Sequence, residues 1–179
     1  MQKSSRGLHF VVVASLALSL FLGSSRADQA PPAASKPVPQ AAGTQILPDL
    51  RMELPKDSKV KTTDGVASIE IARCGCHVQV WSMAKAAPAD VLPKIAETVK
   101  PQVKDFKAVD TKDLTLAGSP GKHVVATGVE ADDGDPAKVE VFVFKAGDKT
   151  YLFLAHSGEE DPAESRDAIV GVINTAKAQ

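Results

Sequence analysis

Aromatic residues and cysteines are scarce in this sequence. Its 179 residues include one tryptophan, one tyrosine, six phenylalanines and two cysteines. So few aromatic rings leave little surface on which bases or sugars could stack. Both cysteines lie in one short stretch, Cys74-Gly75-Cys76, so the chemistry that the sequence does offer is concentrated there.

The sequence also lacks catalytic signatures. It has no Gly-x-Ser-x-Gly, no phosphate-binding loop and no His-Glu-x-x-His. His123 lies in an alternating run, where a lone histidine indicates a structural role. A group of acidic residues without the twelve-residue EF-hand pattern is interpreted as a solvated turn: Glu130, Asp132, Asp133 and Asp135. We therefore expect a protein that is not an enzyme and has no cofactor.

A basic surface is missing as well. The chain has 21 basic and 22 acidic side chains, and three of the basic ones lie in the first 27 residues. Without those 27 residues the formal net charge is −4, and the charges are interspersed. This pattern argues against nucleic acid as a partner.

The longest apolar run, "LHFVVVASLALSLFLG", is shorter than the ~20 residues of a membrane-spanning helix. Lys3 and Arg6 precede it, and Ser25-Arg26-Ala27 follows with small residues at the positions that a signal peptidase reads. These features predict a signal peptide at 1–27 and export to the periplasm or beyond, without stable membrane insertion after cleavage. An uncleaved anchor is the alternative interpretation.

The segment after the predicted cleavage site is rich in proline and alanine and has almost no large apolar residue. Such a composition cannot bury enough surface to offset its ordering entropy, which predicts a disordered linker at 28–45. Residues 46–179 then form a single domain.

Alternating apolar and polar residues predict strands in "LRMELP", "ASIEIA" and "CHVQVW". The strongest hairpin signal joins "VEVFVF" to "YLFLA" through Gly147-Asp148, and a further turn is expected at Gly118-Ser119-Pro120-Gly121. "DSKVKTTDG" is interpreted as a loop.

Helical spacing predicts two main helices, at about 88–106 and 162–177. Pro101 should kink or break the first helix. Asp161, Pro162 and Glu164 form a helix start with a capping box. The predicted fold class is α+β, an antiparallel β-sheet packed by two main helices.

The inward-facing residues are odd-numbered before Gly75 and even-numbered after it. A turn produces this change, whereas a regular strand does not allow it. We predict a hairpin whose two loop residues are Cys74 and Gly75, with Gly75 at positive φ. In this register Ile71 pairs with Val78, and His77 lies away from the aliphatic face. A β-bulge at Gly75 is the alternative.

Three states of the cysteines are left open. Cys74, Cys76 and His77 are metal-ligand candidates, for copper or zinc, although neighbours on a strand point to opposite faces. A fourth ligand would have to come from His123 or His156, and Met83 is a possible thioether ligand on the strand face of His77. Cys74 and Cys76 are also candidates for an intrachain disulfide, because exported thiols tend to oxidise. Two unpaired thiols are the third possibility.

The order of these elements resembles the PsbP-like fold superfamily, over about residues 49–178. The resemblance is carried by "LRMELP", by "LTLAGSPGKHVV", and by the hairpin "VEVFVF…YLFLAHS" followed directly by the last helix. This superfamily includes an extrinsic photosystem subunit, a Ran-binding import factor and small exported bacterial proteins. The resemblance implies a non-enzymatic scaffold for docking or assembly, and it transfers no site residues.

Two function hypotheses follow. The first is an exported, non-enzymatic module that docks on a protein partner in the periplasm or cell envelope. The second is a soft-metal or thiol-redox protein that uses Cys74 and Cys76.

Overall fold

The structure is a computed structural model, and it describes residues 43–56, 58–72, 74–83, 85–156 and 162–179. The predicted signal peptide and most of the predicted linker lie outside these residues, as does the predicted helix cap Asp161. The first strand begins at Thr44, within the last two residues that were assigned to the linker.

Ten strands and three α-helices make up the described part of the chain, with one 3₁₀ turn at Leu92–Lys94. In chain order they are β1 (Thr44–Leu47), β2 (Leu50–Met52), β3 (Lys59–Thr63), β4 (Val66–Ile71), β5 (Cys76–Met83), α1 (Pro88–Val91), α2 (Ile95–Val99), β6 (Val103–Leu116), β7 (Ser119–Glu130), β8 (Pro136–Ala146), β9 (Lys149–His156), α3 (Pro162–Ile173) and β10 (Lys177–Ala178).

The strands form two antiparallel sheets. The large sheet has seven strands in the order β3-β4-β5-β9-β8-β7-β6. The small sheet, β1-β2-β10, pairs the end of the chain with the beginning of the domain. The hydroxyl group of Tyr151 donates a 3.1 Å hydrogen bond to the backbone oxygen of Asp49, which ties the small sheet to β9.

The predicted fold class is wrong in its helices. The described residues are mostly β-strand, and α3 is the one main helix among them, not one of two. The predicted helix at 88–106 is limited to α1, the 3₁₀ turn and α2, and strand β6 begins at Val103. The predicted helix at 162–177 ends at Ile173, and Lys177 already belongs to β10.

Two prolines explain the short first helix. Pro93 lies in the 3₁₀ turn and Pro101 follows α2, and each lacks the N–H that an α-helix needs. Apolar residues at helical spacing continue past Pro101 to Val103. Val103 is buried, but it lies on a strand. The predicted helix therefore extends too far, past the end of α2 at Val99.

Two hairpins differ from expectation. "DSKVKTTDG", interpreted as a loop, contains β3 and a two-residue turn in which Asp64 and Gly65 have φ of 51° and 79°. The β6–β7 turn is Ala117-Gly118 rather than Gly118–Gly121, because Leu116 pairs with Ser119. The predicted β8–β9 hairpin with Gly147-Asp148 at its turn is confirmed by the pairing of Ala146 with Lys149.

The core occupies both sides of the large sheet. One side packs against α3 and the small sheet, and its buried residues include Ile69, Val78 and Phe153. The other side is covered by α1 and α2 only over the opposite half of the sheet, where Ile95 and Val99 pack among residues of β7, β8 and β9. Strands β3, β4 and β5 thus have one covered face and one face on which no helix of the described residues packs.

The hairpin at Gly75 is confirmed, but the predicted register is wrong. Ile71 pairs with Cys76 and Ile69 with Val78, so four residues instead of two separate the innermost pair of the hairpin. The backbone N–H of Cys74 closes the turn on the carbonyl of Ile71 at 3.3 Å. A slip of two residues preserves parity, so the aliphatic side chains still share one face.

Replacing Gly75 by valine should destabilise the domain by about 1 kcal/mol or more. Gly75 has φ of 59°, and an added Cβ meets no atom within 4 Å, so the cost comes from the backbone conformation alone. Asparagine tolerates positive φ better, so Gly75→Asn should cost less. Urea unfolding measures both variants, and equal stability of Gly75→Val and the wild type would contradict this account of the turn.

Candidate functional site

The uncovered face of β3, β4 and β5 is a grid of mostly polar side chains. Ile69, Ile71, Val78 and Val80 point into the core, so the alternate residues of the same strands point the other way. We call these outward residues the open patch: Lys59, Lys61, Thr63, Val66, Ser68, Glu70, His77, Gln79 and Trp81. All of them are exposed or half-buried.

Trp81, the single tryptophan of the chain, lies at the border of the open patch. It packs partly against the core beneath α1 and α2. A concavity of about 410 Å³ lies beside it, closed on one side by Pro101 and Gln102. The side-chain oxygen of Gln79, which also lines this concavity, is buried and has no hydrogen-bond partner among the described residues.

One row of the patch carries charged and titratable side chains in a line. Lys59 pairs across the strands with Glu70, and Glu70 with His77. His77 in turn lies directly opposite His156 on β9. The Lys59 ammonium contacts the Glu70 carboxylate at 3.0 Å, and Nδ1 of His156 lies 2.9 Å from Oε1 of Glu130.

The hairpin tip with the two cysteines lies next to this row. The structure joins Cys74 to Cys76 by a disulfide, with their Cα atoms 5.1 Å apart. Cys76 is buried and points into the core, whereas His77 is exposed on the opposite side of the strand. The three metal-ligand candidates therefore do not converge, and the bonded sulfurs are not thiolates that could hold copper or zinc.

In the described ranges, no three or more His, Cys, Asp or Glu side chains are grouped so that they could hold a metal ion. The acidic residues interpreted as a solvated turn lie at the end of β7 and in the connection to β8. Asp132 and Asp133 accept hydrogen bonds from nearby backbone N–H groups, at 2.9 and 3.0 Å. They act there as turn residues. Glu130 differs, because its carboxylate reaches His156.

His123 belongs to a second polar cluster, buried on the α3 side of the sheet. Its Nε2 lies 2.7 Å from Oε2 of Glu140, and its ring stacks on Phe142 at 4.6 Å. Arg166 of α3 donates two further hydrogen bonds to Glu140, at 2.7 and 2.9 Å. The Glu140 side chain is only 4% exposed. This cluster anchors the helix and fits the structural role predicted for His123.

Burial raises the pKa of Glu140, but hydrogen bonds from Arg166 and His123 lower it by more, and the resulting pKa is about 2. The carboxylate therefore stays ionised in the folded protein at ordinary pH. Because an ionised carboxylate only accepts hydrogen bonds, Nε2 of His123 is the donor in this pair. The side chain of Arg166 is partly exposed, so the ion pair closes the edge of the core rather than its centre.

The fold should therefore lose stability in acid through Glu140. Its pKa is lower in the folded than in the unfolded state, so its contribution is complete above about pH 4.5 and is lost as the pH falls through about 2. Between about pH 6 and 2, the unfolding free energy of the wild type should decrease by roughly 3 kcal/mol more than that of Glu140→Gln. Urea unfolding across this range measures both, and parallel pH profiles would contradict the assignment.

Sequence reasoning missed Glu140, Arg166 and Trp81, whereas His156 was considered as a further metal ligand whose position the sequence does not fix. One signal for Glu140 was present, since it is the single acidic residue in the apolar strand "VEVFVF". A lone acid in a strand covered on both faces needs a partner. The pairing of His77 with His156 could not be read from the sequence, because β5 and β9 are neighbours only through a long-range crossover.

No family model and no curated protein matches this chain. Several solved structures do. A PsbP from the cyanobacterium Synechocystis has a TM-score of 0.46 and 10% identity, over 80% of this chain and 100% of that one. LpqN of Mycobacterium tuberculosis, described as involved in cell envelope biogenesis, has a TM-score of 0.44 and 14% identity, over 74% and 86%.

A Bacteroides thetaiotaomicron protein has a TM-score of 0.48 and 10% identity over 73% of this chain, which spans only 45% of that protein's length. The solved structures that match this chain thus include a PsbP, a member of the superfamily that the sequence resembles. With TM-scores below 0.5, these proteins do not inform the function of the open patch. Among the residues that the structure describes, no helix is long and apolar enough to cross a membrane.

Proposed function

We propose that this chain is an exported, non-enzymatic binding module that docks on a protein partner in the periplasm or cell envelope through the open patch. The observation that carries the proposal is the position of Trp81, half-buried beside a concavity and bordered by polar and charged side chains. Protein interfaces have this anatomy, with an aromatic anchor inside a polar rim.

The charges of the patch favour a protein over other macromolecules. Lys59 lies opposite Glu70 across the strands, and Lys61 lines the same concavity as Asp64 of the turn. A surface of mixed sign complements a protein surface of mixed sign, whereas nucleic acid selects a surface of one sign.

The amino-terminal sequence supports export, because a charged segment, an apolar run and small residues typical of a signal-peptidase site precede the domain. An exported domain behind a proline-rich linker suits a docking function.

Site-specific crosslinking tests the docking surface. A photoreactive amino acid at Ser68, at the centre of the patch, should trap one partner in native envelope extract. The same amino acid at Lys138, an exposed residue of β8, should trap none. The partner identified at Ser68 should then bind the purified protein saturably, and Trp81→Ala should weaken its Kd roughly 30-fold, as loss of an anchor worth about 2 kcal/mol requires.

Trp81→Phe is the matched control, because it keeps an aromatic ring against the core and should weaken binding less. Near-ultraviolet circular dichroism of both variants checks that the domain is folded. Crosslinks of equal yield at Ser68 and Lys138, or a Kd unchanged by Trp81→Ala, would refute docking through the open patch.

The cysteines discriminate between the two function hypotheses. Substituting both Cys74 and Cys76 by serine removes the disulfide at the hairpin tip but leaves the outward residues of β4 and β5 in place. Partner binding should therefore persist, with a Kd within about threefold of the wild type, which corresponds to less than 1 kcal/mol. Complete loss of function in this folded double variant would favour a thiol-redox protein instead.

A further inference from the structure

We propose that His77 and His156 together form a binding site for a divalent metal ion, suited to Cu²⁺ and, more weakly, to Zn²⁺. This site differs from the Cys74, Cys76 and His77 set that the sequence suggests, and it does not depend on the proposed docking function. It arises from strand register, which brings two histidines together that are 79 positions apart in the sequence.

The two histidines are direct cross-strand partners. They lie on neighbouring antiparallel strands, β5 and β9, and on the same face of the sheet. Directly opposed residues place their Cβ atoms about 4.5–5.5 Å apart. Imidazole nitrogens bind at roughly 2.0–2.1 Å from a metal such as zinc, so two rings that start this close can converge on one ion.

Glu130 prepares His156 as a ligand. Its carboxylate oxygen can only accept the 2.9 Å hydrogen bond, so Nδ1 of His156 is the donor. A neutral imidazole with its proton on Nδ1 carries its lone pair on Nε2, which is the nitrogen left for a metal ion. Metal-binding histidines commonly have this carboxylate partner, which fixes the tautomer and raises the basicity of the ring.

Accessibility and charge also fit a cation. His77 is exposed, and the His156 side chain is 27% exposed, so an ion can reach both rings. Glu130 lies on one side of the pair, and Glu70, the cross-strand partner of His77, lies on the other. Both carboxylates would offset the positive charge of a bound metal ion. Lys59 also contacts Glu70, but from the side away from His77.

Two imidazoles define the class of ion. The sulfurs of the nearby hairpin tip are joined to each other, so the soft ligands that select Cu⁺ are not offered. Imidazole suits Cu²⁺ and Zn²⁺, and Cu²⁺ binds a given nitrogen site most tightly in the divalent series. Water would complete the coordination, since no group of three protein ligands exists among the described residues.

The test is a titration of the untagged, oxidised protein with Cu²⁺, followed by electron paramagnetic resonance, and with Zn²⁺, followed by isothermal calorimetry. We expect one Cu²⁺ per chain with nitrogen hyperfine coupling from two imidazoles. His77→Ala and His156→Ala should each leave a single imidazole and weaken Cu²⁺ binding more than tenfold. Glu130→Gln should keep both imidazoles but weaken binding about tenfold, as loss of the carboxylate behind a ligand does.

Asp132→Asn is the matched control in the same acidic turn and should change nothing, because Asp132 faces its own backbone. Circular dichroism confirms the fold of each variant. Absence of saturable Cu²⁺ binding would overturn the proposal. So would an unchanged Kd in either histidine variant, or a spectrum with one imidazole in the wild type. Equal weakening by Asp132→Asn and Glu130→Gln would assign the ion to the acidic turn instead.

Discussion

The position of α3 on the large sheet depends on the hydrogen bonds to the ionised carboxylate of Glu140, which is buried between the two. Arg166 holds it with two hydrogen bonds from the helix, and His123 holds it with one from β7. A buried charge without these partners would cost several kcal/mol, so the helix cannot move away from the sheet without exposing or stranding it. The apolar residues Ile169 and Ile173 then close the core on the same side.

Fixing α3 on one face decides what the other face can do. The large sheet has seven strands, but α1 and α2 together are too short to cover the side away from α3. They pack over β7, β8 and β9 and leave β3, β4 and β5 with one uncovered face. Polar side chains at alternate positions make that face compatible with water, and Trp81 marks the border between the covered and uncovered halves. The surface available for binding is thus a consequence of how little helix the described part of the chain contains.

The sequence predicted local features well where one strong signal acted alone. The β8–β9 hairpin, the positive φ of Gly75 and the buried residues of β4 and β5 all follow from alternation and turn chemistry. The prediction of the first helix was wrong because regularly spaced apolar residues fit a buried strand as well as a helix. The breaks at Pro93 and Pro101 decided between the two structures. Strand β3 was missed because its residues are almost all exposed, although Asp64-Gly65 was a hairpin signal.

The candidate site was the least predictable part. The cysteine stretch is conspicuous in the sequence because its residue types are rare, yet its sulfurs are joined to each other at the tip of the hairpin. The polar row depends instead on β5 lying beside β9, and no local pattern encodes a pairing of strands so distant in sequence. Arg166, the partner of Glu140 on α3, could not be predicted for the same reason.

The central claim is that the open patch is covered by a protein partner where the chain functions. Hydroxyl-radical footprinting tests it directly, by comparing oxidation of Trp81 in the native envelope and in the purified protein. Phe106, half-buried at the start of β6, serves as the internal reference. The account predicts that oxidation of Trp81 falls severalfold in the envelope while that of Phe106 is unchanged. Equal oxidation of Trp81 in both settings would contradict it.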